Sequence, residues 1–287
     1  MKNNNKARFA AIASMLIFGT IGVLVKNIPL PSAVIALARS AIGAVFLVLW
    51  TVVTGKKISF AAIGKNFKFL LPAGVFLGIN WILLFESYRY TTVAIATVCY
   101  YLAPVFIVLA SPLLLGEKLT VKKIFFSAVA LFGTVLVSGA FESGGISFAG
   151  VAFAVGAAVL YAAIVLCNKK LDGISSNDAT ITQLAITAVI LGVYVSVTED
   201  FGNFNLNGTE WMLLAVAGVV HTGLAYALYF GAVQKLDAQT SAFYSYIDPV
   251  FAVILSAVVL GEPMTVLTAI GAVLVLGSTF LSEITDK

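Results

Sequence analysis

Ten apolar runs, each close to the roughly 20 residues that a helix needs to cross a bilayer, take up most of this 287-residue chain. They fall at about 9–26, 33–54, 68–86, 92–115, 121–140, 147–167, 179–198, 210–233, 238–260 and 266–283. The breaks between them are short and rich in helix-ending residues, among them "NIPLPS", "TGKKIS", "LGEKLT", "NKKLDGISSND" and "LGEPMT". None can hold a soluble domain. Only 10% of the residues are charged, against about 25% in soluble domains, so the chain cannot coat a soluble core. Its mean hydropathy is +1.05. The expected fold is an all-α membrane protein with ten transmembrane helices. The opening stretch "MKNNNKARFAAIASMLIFGTIGVLV" reads as the first of them rather than as a cleaved signal, because another full-length run follows at once and 147–167 is its uncleaved counterpart.

The cations fix an expected orientation. With the N-terminus in the cytoplasm, fourteen Lys and Arg residues fall in the tails and loops of that side. Only Lys26 and Arg89 fall on the other, and Arg39 lies within a helix. This is a positive-inside pattern with both termini cytoplasmic. It also accounts for the net charge of +4 without nucleic acid. Two cysteines in apolar runs and one histidine offer neither a disulfide framework nor a metal cluster, so no cofactor is expected.

The chain writes one segment twice. "YYLAPVFIVLASPLLLGEKLT" (100–120) and "SYIDPVFAVILSAVVLGEPMT" (245–265) share ten identities in 21 positions without a gap. They are the fourth and ninth runs, so each half, residues 1–145 and 146–287, holds five helices. Five is odd, so the second half enters the membrane upside down. Such inverted repeats place a site near the midplane, where the halves meet.

The segments 84–120 and 229–265, with "LARSAIGAVFLVL" (37–49) as a second helix carrying Arg39, resemble the EamA-type permeases of the drug/metabolite transporter superfamily. The resemblance covers essentially the whole chain. It implies two inverted five-helix halves and a bacterial inner-membrane exporter of small metabolites, often amino acids or their relatives. Many members carry Glu before the second-copy proline, where this chain has Asp248.

Asp248 replaces Ala103 of the first copy and lies about midway between Lys235 and Glu262, near the bilayer centre. An acid there costs on the order of 3 kcal/mol on insertion scales, and such residues mark substrate or proton paths. It can carry a proton, face a substrate ammonium, or pair with Arg39. Pro104 and Pro249 each remove a helical N–H and loosen the carbonyl four residues back, which makes them candidate hinges. Arg39 can attract a carboxylate, pair with Asp248 or Glu86, or snorkel. Glu86 and Arg89, three apart, read as an ion pair at a helix end. His221, mid-helix, is a candidate proton relay. Asn80, Trp81, Tyr101, Tyr226 and Tyr244 supply polar and aromatic surface for an amphipathic ligand, and Ser241, Tyr244, Asp248 and Ser256 fall near one face of the ninth helix.

The chain lacks a P-loop, H-E-x-x-H and G-x-S-x-G, so neither ATP-driven transport nor a familiar intramembrane enzyme is expected. The expectation is a secondary carrier, acting as a monomer in the lipid bilayer on a small-molecule substrate with protons as a candidate coupling ion. A lipid flippase of the same fold, an uptake carrier and a channel are the alternatives.

Overall fold

The structure is a computed structural model and describes residues 2–115, 120–137, 147–200, 206–233, 244 and 246–284. Every regular element among them is helical. In the first half these are α1 (Lys2–Gly19), α2 (Ile21–Lys26), α3 (Ser32–Val53), α4 (Phe60–Tyr90), α5 (Val93–Tyr100), α6 (Ala103–Leu115) and α7 (Val121–Val137). In the second they are α8 (Phe148–Asn168), α9 (Ser176–Thr198), α10 (Gly208–Gly218), a π segment (Val219–Leu224), α11 (Ala225–Val233), α12 (Ile247–Val258) and α13 (Val266–Ile284). Seven helices among the described residues are long and apolar enough to cross a membrane. The remaining expected spans correspond to α7, α12 and α13.

Local chemistry sets the boundaries. Pro31 fixes an extended φ just before α3. Ser59, Thr92, Ser147 and Ser175 each cap a helix by accepting a backbone N–H three residues on. Asn207 and Glu210 form a reciprocal capping box at the start of α10. Three spans depart from expectation. The third, expected over 68–86, is a 31-residue helix, about 46 Å long at 1.5 Å per residue. It runs well past a hydrocarbon core of about 30 Å. The fourth is broken at Tyr101–Leu102 into α5 and α6. The eighth carries the π segment in its middle. In the ninth, helix is continuous from Ile247, and Lys235, Ser241 and Ser245 lie outside the described residues, as do Gly116 and Glu117 of the first copy.

Contacts cross the two halves in pairs. The elements that hold the same place in each half meet each other: α3 with α9, α5 with α12, α7 with α13. The other large contacts come as exchanged couples. α4 lies along α8 as α1 lies along α11. α4 crosses α9 as α3 crosses α10 and the π segment, and α5–α6 touch α8 as α12 touches α1. Gly74 and Gly78 let α4 approach Ile186 and Leu191 of α9 closely. Large apolar side chains such as Val53, Leu113, Phe132 and Val197 point outward, a surface suited to lipid.

The loops sort into two ends. At one, Asn66 exchanges two hydrogen bonds with the backbone of Asp172, and Asp178 accepts from Ser59 N–H. Lys65 pairs with Asp172 there and holds that carboxyl below its ordinary range by its hydrogen bond and charge. At the other end, Arg89 pairs with Glu86 at 3.3 Å, as expected, and Ser32 also donates to Glu86. Glu262 ties that end across the halves. One oxygen binds Lys26, and the other accepts both the Ser256 hydroxyl and, at 2.8 Å, the Val93 N–H, while Ser256 accepts the Ala94 N–H. The orphan N–H groups that open α5 are thus capped from the other half of the molecule. Ser256, expected on the face of Asp248, serves this cap instead.

Candidate functional site

Asp248 is the second residue of α12, beyond the N-cap residue Tyr246. Gly19 allows α1 to press against this turn, since a Cβ there would stand 2.8 Å from the Asp248 carbonyl oxygen. The Tyr101 hydroxyl, at the α5–α6 break, donates to Asp248 Oδ2 at 3.0 Å. A tyrosine of the first half therefore holds the acid of the second. Asp248 is half-buried, in contact with both α1 and the α5–α6 break.

The two prolines sit where the chain tolerates them best. Pro104 is the second residue of α6 and Pro249 the third of α12. In a first turn the missing N–H is one that has no helical acceptor. Pro104 marks the start of a new helix after the Tyr101–Leu102 break, and Pro249 lies in the first turn of α12, which opens after a turn at Tyr246. The repeat-equivalent tyrosines before them, Tyr101 and Tyr246, meet with ring centroids 6.3 Å apart.

Arg39 is 5% exposed and does not snorkel. Its guanidinium lies over the Trp81 ring at 4.2 Å and near Phe85 at 5.7 Å. Its Nε donates to Thr222 Oγ1 at 2.7 Å. It forms no ion pair within 4.0 Å among the described residues, so the expected direct pairing with Asp248 or Glu86 is not seen. Arg39 is nonetheless within electrostatic reach of Asp248, Tyr88, Tyr100 and Tyr226. Asn80, fully buried, donates to the Ala157 carbonyl at 2.6 Å and accepts from Tyr100 at 3.5 Å, so it fastens α4 to α8 and orients Tyr100. Tyr226 packs on Phe18 of α1, with centroids 5.4 Å apart. Tyr244 is half-buried. His221 turns toward the α1–α2 break, where it meets Thr20 Oγ1 at 2.7 Å through Nε2, and it bonds neither Asp248 nor Arg39.

Several residues at this site were not expected from sequence: Phe18, Phe85, Tyr88, Tyr161, Thr222 and the π segment. Trp81, Phe85 and Tyr88 follow the i, i+4, i+7 spacing of one helical face, which is the signal that would have joined them. Phe85 and Tyr88 also line an open cavity of about 570 Å³ beside Lys26 and Arg89. They form the layer between that outer space and the Arg39–Trp81 stack.

Helices of both halves thus form an apolar shell around one acid, one guanidinium and several tyrosines, the make-up of a polytopic membrane protein. The chain belongs to the EamA-like transporter family, which matches it twice, over residues 5–139 and 148–284. It is similar to the uncharacterised transporter YxxF of Bacillus subtilis (strain 168), 28% identical over 285 residues that cover 98% of this chain and 90% of that one. The uncharacterised transporter YetK of the same organism is 26% identical over 98% of this chain and 86% of its own. An uncharacterised transporter of Archaeoglobus fulgidus is 24% identical over 86% of each chain. A crystal structure aligns over 99% of this chain and 100% of its own with a TM-score of 0.68 at 18% identity, which is a likeness of fold.

Proposed function

We propose that this chain is a secondary carrier that exports a small metabolite, an amino acid or a related amine or drug-like compound, across the bacterial inner membrane by alternating access. On this reading ten spans form two inverted five-helix halves, 1–145 and 146–287, with both termini cytoplasmic and a single chain as the working unit. The exchanged contacts between equivalent elements support the inversion. The observation that carries the reading is the Tyr101–Asp248 bond, made between the halves with Arg39 within electrostatic reach, and on this reading the substrate space lies between the two charges. Asp248 receives the substrate ammonium and, when the site empties, a proton. Arg39 receives a carboxylate, and the tyrosines and Trp81 enclose the remainder. Rocking about the breaks at Pro104 and Pro249 alternates the side from which this space is reached.

Counterflow of labelled amino acids and amines in liposomes tests it. Saturable counterflow is expected, together with its loss by on the order of 100-fold in Asp248→Asn, the scale set by removing one member of a buried charge pair. The melting temperature of the variant should stay within a few degrees of wild type. Counterflow in Asp248→Asn equal to wild type across pH would refute the role of the acid, and a sustained ion current would point to a channel.

A further inference from the structure

A buried guanidinium without an acid is costly to maintain, and the way Arg39 is held tells which of its edges is kept open. Its Nε–H is taken by Thr222 Oγ1 at 2.7 Å, and the Thr222 hydroxyl donates in turn to the Ala217 carbonyl at 3.1 Å. Its face rests on Trp81. Among the described residues its two terminal nitrogens have no hydrogen-bond or ion-pair partner. The side-on fork through Nε is therefore blocked, and only the end-on fork of the two terminal nitrogens remains. An end-on fork matches the two oxygens of a carboxylate.

Thr222 can do this because it lies in the π segment. Its hydroxyl reaches back five residues to Ala217, and His221 Nδ1 likewise lies 3.3 Å from the carbonyl of Val216. The wider turn presents Thr222 to α3 and His221 to the α1–α2 break. Such π turns recur at functional positions. The fit against α3 is tight: a Cβ at Gly43 would stand 2.4 Å from the Thr222 methyl carbon, and one at Gly218 2.4 Å from Ile42.

We propose that Thr222 is the positioning residue that sets the specificity of this site for a carboxylate, by occupying Arg39 Nε and aiming the free edge of the guanidinium at the substrate. The proposal rests on the reading above that Arg39 meets the substrate. It goes further by naming the group that selects acid over amide and the π turn that carries it.

The test uses the full chain with Trp50→Phe and Trp211→Phe, both at exposed positions, so that Trp81 is the sole tryptophan and reports on the guanidinium stacked upon it. The twenty L-amino acids are titrated, each binder beside its own amide. At least one acid should shift Trp81 emission saturably and bind about tenfold more tightly than its amide, the scale of a charge-assisted pair. Thr222→Ser should keep that ratio. Thr222→Val should bring it to within about twofold while leaving the affinity for the amide, and the melting temperature, near wild type. Gly43→Ala, which crowds Thr222 without altering its chemistry, should act in the same direction. An unchanged acid-to-amide ratio in Thr222→Val overturns the proposal, as does silence of Trp81 toward every amino acid and toward acetate and benzoate. Acid-selective binding without counterflow would instead defeat the carrier reading and leave the role of Thr222 standing.

Discussion

The two proline-led helices α6 and α12 begin alike and differ at one decisive position. Each has a tyrosine in turn conformation three residues before the proline, and those tyrosines meet. Yet the second copy has Asp248 where the first has Ala103, so the Tyr101 hydroxyl finds a carboxylate across the halves, and the first copy offers Tyr246 no carboxylate at the equivalent place. The same holds for the cation: α3 carries Arg39, and α9, its counterpart, carries no Lys or Arg. The two halves therefore share a scaffold and differ in which of them carries each charge. Asp248 and Arg39 thus sit asymmetrically within a near-symmetric frame.

The sharpest way to break this comparison is to move the acid. Asp248→Ala combined with Ala103→Asp restores the charge count but places the carboxyl in the other helix. Transport should remain as low as in Asp248→Asn, down by on the order of 100-fold, in a counterflow assay. Recovery to wild type would show that the halves are interchangeable. Next in size, Tyr101→Phe removes the hydrogen bond to Asp248, worth about 1.5–3 kcal/mol for a charged acceptor. Substrate affinity should fall by roughly tenfold or more, as measured by titration calorimetry. Third, Glu262→Gln weakens the tie between Lys26, Ser256 and the start of α5, and thermal unfolding should report a loss of about 1–3 kcal/mol. Smallest, Lys65→Gln removes an exposed ion pair with Asp172. Transport and melting temperature should both stay at wild-type values within error.

Much of this was legible in the chain. The runs at 33–54, 147–167 and 179–198 match α3, α8 and α9 closely, because lipid-facing helices are apolar on nearly every side and their ends carry plain caps. Asp248 could be singled out because the repeat departs from itself there, and Tyr101 because it flanks the proline that both copies keep. The length of α4 could not be read, since Lys65, Asn66 and Lys68 break the apolar signal while the helix continues beyond the bilayer. Pro104 and Pro249 were legible as disturbances but not as helix starts, because the same residue suits both an interior kink and a first turn. The π segment has no sequence marker of its own. Its only trace is small residues, Gly43, Gly218 and Gly223, whose meaning depends on what lies opposite them.

The cap that Glu262 lends to α5 restricts the medium that can enter when this end parts. Separating the halves there strips the Val93 and Ala94 amides and the Lys26 ammonium of their partners. In hydrocarbon each bare amide would cost several kcal/mol, whereas water replaces the lost bonds at little net expense. Water, and not hydrocarbon, is therefore the medium that a widening of this seam would admit.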